Sequence, residues 1–153
     1  MNELFKKLQF KGSDKILILN APAEFQPHVA AVADSVRVDT QPTGDETYDF
    51  VMVFVKSCAE VQANAALAVK GVKADALLWF AYPKKSSKKY KSDLGRDDGW
   101  QPLGALGYEG VRMVAIDDDW SALRLRHASN IKSLTRSEKM ALSDEGKQRT
   151  KKA

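Results

Sequence analysis

Lysines and hydroxyls crowd one stretch of this 153-residue chain, Lys84-Lys85-Ser86-Ser87-Lys88-Lys89. Ammonium and hydroxyl groups at that density suit an oxyanion such as phosphate or sulfate. Residues 84–96 hold six cations and one acid, Asp93. The apolar run Leu77-Leu78-Trp79-Phe80-Ala81-Tyr82-Pro83 leads straight into them. It reads as a strand buried on both faces, so the loop would lie at that strand's C-terminal end, where open parallel sheets bind ligands. A helix is expected to follow the loop, and its N-terminus would add free N–H groups and a partial positive charge. The glycines of a Walker-type phosphate loop are absent. The plain structural alternative is a solvated lysine loop, or a serine cap at Ser92.

Asn20, Pro22, Lys56, Ser57 and Tyr82 are expected along the same sheet edge, the default crevice for a ligand. The structural alternative makes Ser57 a helix cap, Asn20 a turn residue and Pro22 a helix start. Cys58 falls at the first turn of a helix, where a thiolate would be stabilised. A nucleophile there needs a histidine base, and His28 and His127 are both placed elsewhere, so Cys58 reads as a buried small residue. Asp97-Asp98 and Asp117-Asp118-Asp119 offer hard oxygen ligands, but consecutive carboxylates point apart, and a hairpin turn is the better reading. Zinc lacks a His/Cys cluster, and no serine–histidine–acid set falls in one crevice. Trp79 reads as core. Trp100 and Trp120 would be core or half-exposed stacking surfaces. Arg124 and Arg126 share one face of a strand.

These side chains need a scaffold, and apolar periodicity outlines it. Residues 1–14 form a short amphipathic start with Leu4, Phe5 and Leu8 on one face. Lys15–Asn20 is a strand. A helix follows, from Glu24 or Pro27 to Asp34, and then a second, edge-like strand at Ser35–Asp39. Tyr48–Val55 is a strongly buried strand. Ser57-Cys58-Ala59-Glu60 matches a capping box and opens a helix to about Val69, with Val61, Ala65 and Ala68 facing inward. Asp75–Tyr82 is a strand, Asp93–Leu106 a helix and Gly110–Ile116 a strand. Trp120–Arg126 alternates like an antiparallel hairpin partner at a sheet edge. The order predicts an α/β fold: a three-layer Rossmann-like domain with a mostly parallel sheet of about six strands ending in an antiparallel hairpin. Right-handed crossovers place the first, third and fourth strands side by side at its centre.

The length fits a single domain, residues 1–127, with a basic C-terminal tail, 128–153, partly ordered at most. The net charge of +4 resides in that tail, which carries seven Lys/Arg against three acids. One cysteine excludes an internal disulfide. The absence of a signal-like or membrane-length apolar run makes a cytoplasmic location the expectation, with no membrane partner. Monomer and homodimer remain equally compatible.

Two resemblances follow. The segments Tyr48–Val55 and Ala76–Lys85, each strand leading on to a helix, and the closing hairpin resemble the second half of a methyltransferase-type Rossmann sheet. That resemblance implies S-adenosylmethionine as cofactor, a glycine-rich turn after the first strand and an acidic residue, here Asp39, at the end of the second. The turn holds Asn20-Ala21-Pro22-Ala23-Glu24, with no glycine and a proline that lacks a donor. Ordinary S-adenosylmethionine binding is therefore not expected, and the residues name no cofactor. "ILNAP", "YDFVMVFVKS", "LLWFAYPKKSSK" and "IKSLTRSEKMALSDEGKQRTKK" resemble a family of short, uncharacterised bacterial proteins, which implies a single α/β domain and brings no catalytic residue. The leading expectation is an anionic ligand (nucleotide, phosphorylated small molecule or nucleic acid) held by Asn20, Lys56, Lys84, Lys85, Ser86, Ser87 and Lys88. The alternatives are a degenerate methyltransferase-like enzyme and a homo-oligomeric interaction module.

Overall fold

A computed structural model describes residues 3–10, 12, 15–42, 46–95 and 99–128. The expected basic tail therefore lies outside the described residues, as do Asp97 and Asp98.

Apolar β-branched runs form the centre of the sheet. Strands β1 (Lys15–Leu19), β3 (Tyr48–Phe54) and β4 (Val72–Pro83) pair in parallel, with Leu17 opposite Val51 and Val51 opposite Leu78. A short edge strand, β2 (Arg37–Asp39), flanks β1 in parallel. On the other side β6 (Trp120–His127) and β5 (Tyr108–Ala115) complete the order β2-β1-β3-β4-β6-β5. The three adjacent central strands and the antiparallel finish match expectation.

Alternation on continuous apolar strands buries both faces. On one face Leu17, Leu19, Val51, Val53, Leu78 and Phe80 pack under α3 (Cys58–Gly71) and α4 (Gln101–Ala105). On the other, Ile16, Ile18, Phe50, Met52, Phe54 and Trp79 pack under α1 (Glu3–Lys7) and α2 (Gln26–Ala33). The Trp79 indole donates to the Leu8 carbonyl at 3.1 Å, tying α1 to the sheet. Helix α3 begins as its capping box dictates: the Glu60 amide donates to Ser57 Oγ at 3.1 Å. Val61, Ala65 and Ala68 are buried along its inner face.

Three expectations need correction. Strand β6 is interior, paired on one side with β4 and on the other with β5, so β5 forms the edge. Its alternation reflects different coverings of the two faces. Leu123 and Leu125 enter one core, while Arg124 on the opposite face donates to Gln9 Oε1 at 3.1 Å. Self-pairing through Trp120–Arg126 is thereby closed off. Strand β4 begins at Val72, directly after α3, because Val72 already pairs with Tyr48. The expected long helix at Asp93–Leu106 is only α4, five residues long. Among the described residues upstream of it, the Trp100 indole donates to the Gly95 carbonyl at 2.8 Å and the Leu94 amide to Ser92 Oγ at 3.0 Å.

Candidate functional site

The C-terminal ends of β1, β2, β3 and β4 lie along one edge of the sheet. Strand order reverses beside β1, so the expected crevice lies between the tips of β1 and β3. Here that crevice is filled from within. A row of rings crosses it: His28 on Phe25 (5.1 Å between centroids), Phe25 on Phe54 (4.7 Å), Phe54 on Trp120 (5.2 Å) and Trp120 on Tyr90 (5.0 Å). Phe25 belongs to a short 3-10 turn, Ala23–Phe25, that carries the chain from β1 into α2.

Glu24 in that turn ties the row together. Its carboxylate accepts hydrogen bonds from the Tyr90 hydroxyl and, at 3.1 Å, from the Trp120 indole, and it faces Lys89 Nζ at 3.4 Å. The Tyr90 hydrogen bond, with help from Trp120 and Lys89, holds the Glu24 carboxyl down at about 2 against the opposing effect of burial. The same contact pushes the Tyr90 hydroxyl and the Lys89 ammonium upward. Lys56 and Lys89 also lie over the Tyr90 ring, 5.6 and 5.5 Å from its centre.

The lysine loop is organised by acids of this chain. The Ser87 hydroxyl donates to Asp119 Oδ1 at 2.7 Å and accepts from the Tyr90 amide at 3.0 Å, while the Lys84 amide donates to the Asp119 carbonyl at 2.8 Å. Lys56, Lys85, Ser86 and Lys88 are exposed, and Lys84 is half-buried. No helix N-terminus follows this loop, since α4 starts at Gln101. The nearby N-terminus of α3 is taken by Asp93, whose carboxylate accepts from the Cys58 amide at 2.8 Å. The helix N-terminus nearest the lysines is thus already occupied by a carboxylate of this chain.

Asn20 stands apart from the loop. It is exposed and left-handed (φ 61°), a conformation that asparagine tolerates and glycine favours. With Ile18, Ala21, Gln26, Val29, Thr40 and Gln41 it lines a recess of about 280 Å3 between the ends of β1 and β2. That volume is at the lower end of the roughly 300–1,000 Å3 of small-molecule sites. The Asp39 carboxylate at the tip of β2 is already engaged by the Arg37 guanidinium at 2.8 and 2.9 Å and by the Tyr48 hydroxyl. The Arg37 contact above all, and then Tyr48, holds its carboxyl below the usual range.

The structure thus brings Lys56 to the loop through Tyr90 and leaves Asn20 in a separate recess. Tyr82, expected at the edge, is buried; its hydroxyl donates to Met113 Sδ at 3.3 Å, because Leu78, Phe80 and Tyr82 all face the α3 core. Trp100 and Trp120 are buried as well. Cys58 is half-buried beneath Gly99, while His28 and His127 pack on Phe25 and Tyr108. His127 lies at the far edge of the sheet. Asp117 accepts from the Asp119 and Trp120 amides at 2.8 Å, which makes the three aspartates a hairpin turn. Among the described residues no cluster of metal-ligating side chains occurs, and no helix is long and apolar enough to cross a membrane. The sequence singles out neither Tyr90 nor Thr40 nor Gln41, and it shows Glu24 only as a helix start and Asp119 only within an aspartate run.

No family model and no curated protein matches the chain. Solved structures do. The N-methyltransferase NodS from Bradyrhizobium japonicum WM9 is 12% identical, with a TM-score of 0.53 over 82% of this chain and 92% of that one. The glycopeptide N-methyltransferase MtfA is 8% identical, with a TM-score of 0.53 over 82% and 91%. A SAM-dependent methyltransferase from Aquifex aeolicus is 13% identical, with a TM-score of 0.50 over 80% and 87%. At such identities the likeness is one of fold. The chain has a Rossmann-like α/β fold of the methyltransferase type.

Proposed function

We propose that this protein binds a small, nucleoside-sized, uncharged polar ligand in the recess between β1 and β2. One observation carries the reading. The recess is lined by three amides, a hydroxyl and aliphatic side chains, with no titratable group among them. Such a lining offers a ligand no general acid, base or nucleophile of the protein's own and reads as a binding surface. Amides and a hydroxyl suit the edges of a heterocycle or a sugar, and Ile18, Ala21 and Val29 suit its faces. NodS has been solved with S-adenosyl-L-homocysteine, a nucleoside-bearing molecule, on the same fold. In the present chain the ring row and Glu24 fill the neighbouring crevice, and Asp39 is tied to Arg37 and Tyr48. A truncated nucleoside ligand fits these restraints better than the whole cofactor.

Calorimetry with adenosine, S-adenosylmethionine and S-adenosyl-L-homocysteine tests this directly. Adenosine is expected to bind as well as the larger molecules, and the Thr40→Val/Gln41→Leu variant to lose at least tenfold in affinity. Binding of none of the three, or unchanged binding by the variant, sinks the reading.

A second reading stays open because Lys56 is brought over Tyr90 beside the exposed Lys85 and Lys88. There the partner is a phosphate-bearing molecule or nucleic acid. Its affinity would fall steeply with salt and would be lost when Lys84, Lys85 and Lys88 are changed together to alanine. Retention of binding by that variant overturns it.

A further inference from the structure

Three hydrogen-bond donors converge on one carboxylate at the sheet edge: the Tyr90 hydroxyl, the Trp120 indole and the Lys89 ammonium. Trp120 is almost fully buried (1% exposed), and Tyr90 is half-buried. A second ammonium, Lys56, lies over the Tyr90 ring. Aromatic O–H and N–H donors fixed by ring packing, with ammonium charge at the rim, make an oxyanion receptor. In this chain the oxyanion is supplied internally, by Glu24.

We propose that Glu24 is a built-in surrogate for a small external carboxylate, which takes its place on Tyr90, Trp120 and Lys89 when Glu24 withdraws. The loop is held at two points. Asp119 fixes Ser87 and Lys84, and Glu24 fixes Tyr90 and Lys89. Withdrawal of Glu24 leaves the first clasp in place, with the Tyr90 amide still on Ser87 Oγ, and frees the second until a ligand carboxylate closes it again. An intramolecular carboxylate competes at a high effective concentration, which keeps the receptor closed to dilute anions. A ligand carboxylate succeeds when further contacts add to its affinity. Ala21 and Gln26, two walls of the neighbouring recess, lie just before and just after the turn that carries Glu24. The proposal stands on the Glu24 contacts alone and does not require the recess to be occupied. It also differs from an anion site on the outer lysines, because Lys84, Lys85 and Lys88 take no part in it.

Hydrogen exchange at the Trp120 indole N–H, which donates to Glu24 directly, with tryptophan emission alongside it, tests the proposal using acetate as the probe. Glu24→Ala is expected to raise the Trp120 indole exchange rate at least tenfold. Acetate should restore protection saturably in that variant and leave the wild type unchanged. Changing Lys89 to methionine in the Glu24→Ala background should weaken acetate several-fold. The Lys84→Ala/Lys85→Ala/Lys88→Ala triple change should not. If Glu24→Ala fails to fold, Glu24→Gln serves in its place: a raised indole exchange rate that acetate does not restore is expected, because the amide still fills the receptor. Wild-type exchange in both Glu24 variants overturns the proposal, and so does acetate acting equally on variant and wild type or on neither. Rescue of Glu24→Ala by phosphate but not acetate overturns the assignment to a carboxylate.

Discussion

Protonating Glu24 removes the acceptor that Tyr90 and Trp120 share, and this gives the molecule a specific acid sensitivity. A carboxyl held at about 2 contributes stability that is fully present above the ordinary carboxylate range. That contribution is lost as pH falls from about 4.5 towards 2. The groups facing it, Tyr90, Trp120 and Lys89, do not titrate in that window. Glu24 keeps a quarter of its side chain exposed, so solvent screening reduces the contribution to about 2 kcal/mol. Between pH 5 and pH 2.5 the wild type is expected to lose most of that stability relative to Glu24→Gln, read as the difference between their urea midpoints. Equal slopes would show that the contact contributes nothing. Gly107 makes a second residue-scale case. Its φ is 92°, and a Cβ there would stand 2.5 Å from His127 Nε2. Gly107→Ala is expected to cost about 1–3 kcal/mol, from the left-handed backbone together with displacement of the His127 ring. An unchanged denaturation midpoint would refute this.

At the scale of elements, α3 owes its start to Ser57. Ser57→Ala is expected to lower stability by about 1 kcal/mol, whereas Ser57→Asp, which keeps an acceptor at the cap, should restore most of it. Urea denaturation separates the two. The strands and α3 were legible because their signals are local: β-branched runs, a capping box, and inward residues at helical spacing. The segment between β4 and α4 was not. Its shape comes from contacts distant in sequence, with Ser87 on Asp119, Tyr90 on Glu24 and Asp93 on Cys58. The partners that organise Ser87, Lys89 and Tyr90 sit in other elements, so no window of sequence could reveal them. Asn20 was legible as a turn residue, but the recess it lines depends on Thr40 and Gln41, which join it only through the β1–β2 pairing.

For the molecule as a whole, the sheet order predicts where protection concentrates. Strands β1, β3 and β4 are flanked on both sides and covered on both faces, whereas β2 and β5 are edges. Amides of the three central strands should exchange by global unfolding and those of β2 well before it. Equal protection of β2 and β3 would contradict this picture. Both faces of the sheet are apolar because both are covered, and for that reason the layer architecture could be read from residue types. The interior place of β6 could not, since alternation alone does not say which neighbour a strand takes.

The position of β6 also sets an order in time. It follows β5 in the chain yet inserts between β4 and β5. During synthesis β4 is therefore left with an unpaired flank while β5 is made, and β5 has no partner to receive it. Contacts that wait on a later segment are slow to form and leave an exposed strand edge vulnerable to wrong pairing. Trp120 is the first residue of β6 and donates to Glu24. The last gap in the sheet and the Glu24 clasp across its C-terminal edge consequently close in one event, and a chain caught before that moment is both unfinished and open.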